Sequence, residues 1–157
     1  MPRAARIIID DACYHVISRG NDKQIVFKED GDFQEYLKIL RKYKTRFKFK
    51  IYGWCLMSNH VHLLVESNNL SKVMHGINLS YAKYFKEKYK TIGHFWQDRF
   101  KSYVIRKDNY MISCITYIEY NPLRANLVNS VDEYVWSSYR ARVLGKKLFN
   151  LLDNVEL

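Results

Sequence analysis

Residues 49–65 read FKIYGWCLMSNHVHLLV and contain the pattern that decides the fold. The run from Phe49 to Met57 is rich in aromatic and branched residues, and His60 to Val65 is a second such run, so each favours a β-strand. Ser58-Asn59 stands between them, a turn of the length that joins antiparallel strands. The segment therefore predicts a hairpin whose second strand begins with two histidines.

Outward from this hairpin, the spacing of apolar residues predicts further elements on both sides. In chain order they are a strand over residues 12–19, a helix over 33–47, the hairpin, a helix over 73–85, a strand from Gly93 to about Ile105, and a helix after Asp108 that ends or kinks near Pro122. This order predicts an α+β domain with a ferredoxin-like antiparallel sheet and helices packed on one face.

Length and composition suit a single domain over residues 1–157, because 48% of the 157 residues are hydrophobic and the chain has only two prolines and six glycines. A largely disordered chain is excluded by the same numbers. No apolar run approaches the roughly 20 residues of a membrane-spanning helix, and the N-terminal residues do not resemble an export signal. We therefore expect no membrane partner and a cytoplasmic location.

The charge balance points to a polyanionic partner. There are 26 Lys and Arg residues against 16 Asp and Glu, a net charge of +10, for which nucleic acid is the first candidate. A basic protein that is merely soluble by its charge stays a possible interpretation. The three cysteines are far apart and form no Cys-x-x-Cys pair, so they are predicted to be buried reduced thiols.

The two histidines of the hairpin are candidate metal ligands. A strand has a period of two, so His60 and His62 lie on one face within reach of one cation, whereas Val61 points to the other face. Hydrogen-bonded surface histidines are an equally open interpretation.

The helix after Asp108 offers two more candidates. Tyr117 and Asn121 are four residues apart, so they share a helical face with Tyr110 and Cys114, opposite an apolar stripe. From spacing alone, Tyr117 could pack or react, and Asn121 could simply end the helix before Pro122.

Five segments together carry a resemblance to a known family. They are YHVISRGN at 14–21, LMSNHVHLLVE at 56–66, GHFWQDRFKS at 93–102, YIEYNPLRA at 117–125 and WSSY at 136–139. The chain resembles the single-tyrosine HUH transposases, and within them the REP-associated tyrosine transposases, over about residues 12–140. Residues 144–157 follow the last match and are interpreted as a C-terminal tail.

The resemblance implies a metal-dependent enzyme that cleaves and rejoins hairpin-bearing single-stranded DNA through a 5′-phosphotyrosine intermediate. His60 and His62 match the HUH pair, Tyr117 matches the nucleophile, and Asn121 falls where relatives place a further metal ligand. The implied cofactor is Mg²⁺ or Mn²⁺, and the implied location is the nucleoid of a bacterial or archaeal cell. Relatives work as monomers or as homodimers, and both remain open here.

DNA binding is expected from basic residues that stand near aromatic ones. Cationic side chains neutralise phosphates and aromatic rings stack on unpaired bases. The candidates are Arg19, Arg99, Lys101, Arg106, Lys107 and Trp96. His15, His75 and His94 have no ligand spacing and are interpreted as structural. Two alternatives to the transposase remain, a domesticated DNA-binding protein that no longer cleaves and a metal-dependent hydrolase that uses water.

Overall fold

A computed structural model describes residues 12–146 and 148–155 of the chain. The elements, in chain order, are strand β1 (Cys13–Arg19), helix α1 (Asp30–Phe47), strands β2 (Lys50–Met57) and β3 (His60–Glu66), helix α2 (Leu70–Tyr89), strand β4 (Lys101–Ile105), and helices α3 (Asn109–Glu119), α4 (Asn121–Arg124) and α5 (Tyr139–Leu144). Among the helices described, none is long and apolar enough to cross a membrane.

The predicted hairpin is confirmed. Met57 pairs with His60, so Ser58 and Asn59 form the turn between β2 and β3. The sheet has the order β2-β3-β1-β4, and the paired strands run antiparallel. Strand β1 lies between β3 and β4. Its last residue, Arg19, pairs with His60 of β3. The predicted α+β class with an antiparallel sheet is therefore confirmed.

The two faces of the sheet are covered by different helices. Helices α1 and α2 pack on one face, where Leu37 and Ile77 join a core with Leu63 of β3. Helix α3 packs on the opposite face, where Ile118 contacts the cluster that contains Leu64. The two long helices, α1 and α2, share one face of the sheet as predicted, whereas α3 lies on the other face. The physical reason is that β3 is buried continuously on both faces from Val61 to Val65, so each face needs a cover.

Two local predictions are wrong. The strand predicted from Gly93 starts only at Lys101, and the preceding loop makes a single bridge, between Trp96 and Gly20. Phe95 and Phe100 of this loop are instead buried in the α2 core, which bends the segment away from a strand. The helical face of Tyr110 and Tyr117, predicted to lie opposite the apolar stripe, is also not exposed throughout, because Cys114 on that face is buried against the sheet. All three cysteines are buried and free, as predicted.

The outer edge of β2 is covered by the C-terminal part of the chain. The backbone N–H of Leu56 donates to the carbonyl of Trp136 (2.8 Å), and that of Asp153 donates to the carbonyl of Ile51 (2.7 Å). Leu151, inside the predicted tail, is fully buried in the main core. These contacts satisfy an otherwise open strand edge, and they hold the described part of the tail away from the end of β3 that carries the histidines.

Candidate active site

Three histidines lie together on the sheet face that α3 covers. His60 and His62 alternate along β3, and their ring centres are 4.9 Å apart. His15 reaches them from the neighbouring strand β1, stacked on His62 at 5.1 Å, with its Nε2 atom 2.9 Å from His62 Nδ1. His15 and His62 are both buried. The same-face arrangement of the hairpin histidines is as predicted, whereas the third histidine is not.

Tyr117 projects from α3 beside this cluster. Its ring centre lies 6.1 Å from that of His62 and 6.0 Å from that of His15, both edge-on. Tyr117 is half exposed, so a substrate can reach this residue from solvent. The guanidinium of Arg124 lies 4.2 Å from the ring centre and also donates a hydrogen bond to the Tyr117 carbonyl. The tyrosine therefore meets the histidines of its own chain.

Asn121 arrives at the histidines after a break in the helix. Helix α3 ends at Glu119, and α4 starts at Asn121 with Pro122 in its first turn, where the missing N–H of proline is tolerated. The Asn121 Nδ2 atom lies 2.8 Å from His62 Nε2. The predicted end or kink of the helix near Pro122 is confirmed. Tyr117 and Asn121 both lie beside His62 of their own chain, which the sequence had left open.

With the side-chain amides of Asn59 and Asn121 oriented as in this structure, the hydrogen bonds assign the lone pairs of the ring nitrogens. His60 Nδ1 lies 2.7 Å from Asn59 Oδ1, a carbonyl oxygen that only accepts, so Nδ1 donates and Nε2 keeps its lone pair. The amide N–H of Asn121 donates to His62 Nε2, so the proton of His62 is on Nδ1 and donates to His15 Nε2. Both hairpin histidines thus present an unprotonated Nε2.

The surroundings keep these imidazoles neutral. Burial lowers the pKa of His15 to about 4, and burial together with the positive charge of Arg19 lowers the pKa of His60 to about 4. The pKa of His62 is lowered further, by burial first and then by its two histidine neighbours. Neutral imidazole is the form that ligates a metal, so the pair is competent at neutral pH.

The donor set fits a divalent cation with mixed ligands. No group of three His, Cys, Asp or Glu side chains that could hold a metal occurs among residues 12–146 and 148–155. An ion here would therefore take two imidazoles and oxygen ligands, and the amide of Asn121 supplies an oxygen if it rotates by half a turn. Mn²⁺ accepts imidazole readily, whereas Mg²⁺ needs more oxygen ligands and water.

Two of the predicted DNA-binding residues lie on the histidine face. Arg19 stands opposite His60 on β1, and Lys101 stands opposite Ile17 on β4, so both side chains share the face of the histidine pair. Both are exposed. Arg19 thus lies next to His60, whereas Ile17 of β1 lies between Lys101 and His62.

The other predicted DNA-binding residues lie elsewhere. Arg106 forms an ion pair with Asp108 at 3.1 Å, and Lys107 forms one with Glu66. Arg99 and Trp96 belong to the loop that packs against α2. The predicted set is therefore not one patch.

Sequence reasoning missed His15. It interpreted this residue as structural because no other histidine or acid stands at ligand spacing from it. The contact with His62 depends on the pairing of β1 with β3, whose residues are far apart in sequence. The available signal was the alternation of β1, which predicted a strand but not its neighbour. His75 and His94 lie away from the cluster, beside a groove on α2.

The comparison with known proteins places the chain among the transposases. Residues 9–121 match the family model of IS200-like transposases, and the chain belongs to that family. It is 24% identical to a Haemophilus influenzae protein that carries the name REP-associated tyrosine transposase, over 69% of each chain. A solved structure of a REP-associated tyrosine transposase bound to a REP hairpin shares the fold, with a TM-score of 0.76 at 20% identity over 100% of this chain and 94% of that one.

Proposed function

We propose that this transposase cleaves and rejoins single-stranded DNA that carries hairpins, with Tyr117 as the nucleophile. The observation that carries the proposal is that Tyr117 and Asn121 both approach His62 within one chain. The hairpin-bound structure with the same fold supports the class of substrate. Such an enzyme would work at the nucleoid, in the cytoplasm of a bacterial or archaeal cell.

Tyr117 would attack a backbone phosphate in line. The phenolic oxygen forms a bond to phosphorus, the bond to the 3′ oxygen breaks, and DNA is left joined to the protein through its 5′ phosphate. Attack by a 3′ hydroxyl reverses the step and rejoins the strand without ATP. The guanidinium of Arg124, 4.2 Å from the Tyr117 ring centre, would offset negative charge that develops at the phosphate during the attack.

His60, His62 and Asn121 would hold Mg²⁺ or Mn²⁺, which when bound supplies positive charge to a non-bridging oxygen of the phosphate. His60 and His62 present Nε2 lone pairs to one side of the sheet. Nε2 of His15 accepts a hydrogen bond from the Nδ1–H of His62, which keeps the proton on Nδ1 and the lone pair on Nε2 of His62. Arg19 and Lys101 would bind the flanking phosphates.

The active form is proposed to be complete in one chain. The tyrosine helix and the histidine strand that meet belong to the same chain, so exchange of helices between subunits is not required. A homodimer would remain compatible with DNA binding. Mixing an inactive His62→Ala protein with an inactive Tyr117→Phe protein tests this, because only a helix-exchanging dimer would recover cleavage.

The direct test uses end-labelled hairpin DNA with single-stranded flanks, incubated with the protein and Mn²⁺ or Mg²⁺ and run on a denaturing gel. We expect a metal-dependent covalent band that Tyr117→Phe abolishes while DNA binding is kept. Tyr110→Phe is the matched control, since Tyr110 is an exposed tyrosine of the same helix. Cleavage that persists in Tyr117→Phe would indicate hydrolysis by water, and binding without an adduct would indicate a DNA-binding protein that no longer cleaves.

A further inference from the structure

The segment at residues 136–139, one of the five on which the family resemblance rests, is not used by the proposed cleavage chemistry. It runs along the outer edge of β2. The N–H of Leu56 donates to the Trp136 carbonyl at 2.8 Å, and the N–H of Ser138 donates to the Trp54 carbonyl at 2.9 Å. We call residues 136–139 the edge segment, because they extend the sheet by one short antiparallel pairing.

The edge segment lies level with the histidine site. Its Ser137 bridges to Cys55 of β2, and Cys55 pairs with His62 of β3. Trp136 stacks on Phe33 of α1, with the two rings parallel and their centres 4.8 Å apart. The segment therefore joins β2, at the register position of His62, to a helix on the far face of the sheet.

The hydroxyl of Ser138 connects this edge to the helix that carries Tyr117. Ser138 is fully buried, and its Oγ accepts a hydrogen bond from the N–H of Trp54 at 2.9 Å. The same hydroxyl donates to the carboxylate of Glu119, the last residue of α3. A hydroxyl has one proton to donate, and the carboxylate is a nearer and stronger acceptor than the Trp54 carbonyl at 3.3 Å. Ser138 thus links β2 to the end of α3 by two hydrogen bonds.

Both carboxylate oxygens of Glu119 accept hydrogen bonds. Glu119 is 3% exposed, and Nε of Arg142 on α5 donates to its Oε2 at 3.1 Å and to its Oε1 at 3.4 Å. Arg142 also donates to the carbonyl of Tyr52 on β2. A buried carboxylate keeps one position among such donors, because moving away from them would leave its charge unpaired out of water.

These contacts define where α3 ends along its own axis. Ile115 and Ile118 pack the helix on the sheet by apolar contact, which has no preferred direction. The hydrogen bonds of Glu119 are directional. Tyr117 stands two residues before Glu119 and Asn121 two residues after it, so a shift of Glu119 would move both.

We infer that Glu119 is a positioning residue that keeps Tyr117 and Asn121 beside the histidines, an inference that rests on the proposed function. Glu119 is buried and bonded to its own donors, so it acts through its neighbours in the chain and not on a substrate. The Asn121 amide lies 2.8 Å from His62, and a displacement of about 1 Å would break that hydrogen bond. Misplacement of reacting groups by about 1 Å costs up to about 100-fold in rate.

The test compares two buried serines of the edge segment. Ser138→Ala removes the hydroxyl that donates to Glu119. Ser137→Ala is the matched control, because Ser137 is 2% exposed and its hydroxyl accepts a hydrogen bond from the N–H of Tyr139 at 3.3 Å. Urea unfolding establishes that both proteins are folded under the assay conditions. The single-turnover rate of adduct formation and the hairpin affinity without metal are then measured for each.

We expect Ser138→Ala to form the adduct about 10- to 100-fold more slowly than Ser137→Ala, with equal hairpin affinity. A loss of rate at unchanged affinity indicates misplaced reacting groups, whereas a general loosening of the fold would weaken both. Equal adduct rates for the two variants would overturn the inference. A parallel fall of rate and affinity in Ser138→Ala would also overturn it, because the edge segment would then only support the DNA-binding surface.

Glu119→Gln keeps the test decisive if Ser138→Ala does not fold. It retains the size of the side chain and an oxygen that accepts from Ser138, but it removes the charge that binds Arg142. The adduct rate should fall roughly 2- to 10-fold with hairpin affinity unchanged. A wild-type rate in this variant would remove Glu119 from the positioning of Tyr117.

A third measurement does not depend on cleavage. Nε2 of His62 accepts a hydrogen bond from Asn121, and the ¹⁵N resonance of such a nitrogen moves when the bond is lost. In metal-free protein with ¹⁵N-labelled histidine, this resonance should move in Ser138→Ala and stay in place in Ser137→Ala. That result without an adduct in any protein, the wild type included, would count against the proposed cleavage and not against the positioning. A wild-type adduct, with rate and resonance both unchanged in Ser138→Ala, would overturn the inference and leave the proposed function standing.

Discussion

Replacement of His15 should weaken metal binding at His60 and His62 although His15 is not proposed as a ligand. His15 is 8% exposed, and its Nε2 accepts a hydrogen bond from the Nδ1–H of His62 at 2.9 Å. His15→Phe keeps a ring of similar size in the stack but removes the acceptor. His62 would then have to leave its Nδ1 proton without a partner or move that proton to Nε2, the atom that would face the metal.

The expected magnitude follows from two independent considerations. A buried donor left without a partner costs about 1–3 kcal/mol. Loss of the group that orients a metal-binding histidine lowers metal affinity about 10- to 100-fold, which is about 1.4–2.7 kcal/mol. The two ranges agree, so we expect Mn²⁺ affinity to fall by one to two orders of magnitude.

The assay is a titration with Mn²⁺ in which the free ion is measured by electron paramagnetic resonance, so that no turnover is needed. His15→Gln is the rescue variant, because its amide oxygen can reach the position of Nε2, and His75→Phe is the control for an exposed histidine on α2. Equal Mn²⁺ affinity for His15→Phe and the wild type, in protein with unchanged folding, would refute the reasoning. Failure of His15→Gln to recover any affinity would show that packing and not the hydrogen bond is what His15 supplies.

Two further predictions concern acid and the arginine beside Tyr117. Burial lowers the pKa of His15 to about 4 in the folded chain, whereas the unfolded chain binds that proton near pH 6.5, so the free energy of unfolding should fall as the pH is lowered below 6.5. His15 should lower the free energy of unfolding by about 2 kcal/mol between pH 8 and pH 5, which urea unfolding at each pH measures. The free energy of unfolding of His15→Phe should depend on pH less steeply by this amount. Parallel pH curves for the two proteins would contradict this. Arg124→Gln removes the cation 4.2 Å from the centre of the Tyr117 ring. It should slow adduct formation about 5- to 30-fold, because such a contact contributes about 1–2 kcal/mol. The affinity for hairpin DNA should change little. Single-turnover kinetics with saturating protein measure the step, and Arg140→Gln, on α5, is the control; equal rates for Arg124→Gln and the wild type would remove Arg124 from the mechanism.

Local pattern was sufficient for the elements that carry the site. The period of two in β3 placed His60 and His62 on one face, and a turn of two residues defined the hairpin, because both depend only on neighbours in the chain. The spacing of four between Tyr117 and Asn121 was also a local feature. Both side chains lie beside His62 although the helix breaks between them, because Asn121 is the first residue of α4 and its amide lies 2.8 Å from His62.

The loop at residues 93–100 shows where local pattern misleads. Its aromatic residues have strand propensity, yet Phe95 and Phe100 are buried against α2 and the loop pairs with β1 only at Trp96. Strand propensity is largely a statement about packing on a sheet, so a different packing partner overrides it. That same choice created the groove along α2, which no spacing in the sequence indicated.

The sequence by itself determined that this chain is an α+β domain with a histidine pair on one strand and a tyrosine on a helix, because alternation and helical spacing are properties of adjacent residues. Only the tertiary structure decided that α3 covers the opposite face of the sheet, that Tyr117 meets the histidines of its own chain, and that His15 holds His62. Those contacts join residues from strands and helices that are distant in sequence. Their formation depends on strand order and on the burial of both faces of β3, which are settled when the whole core packs.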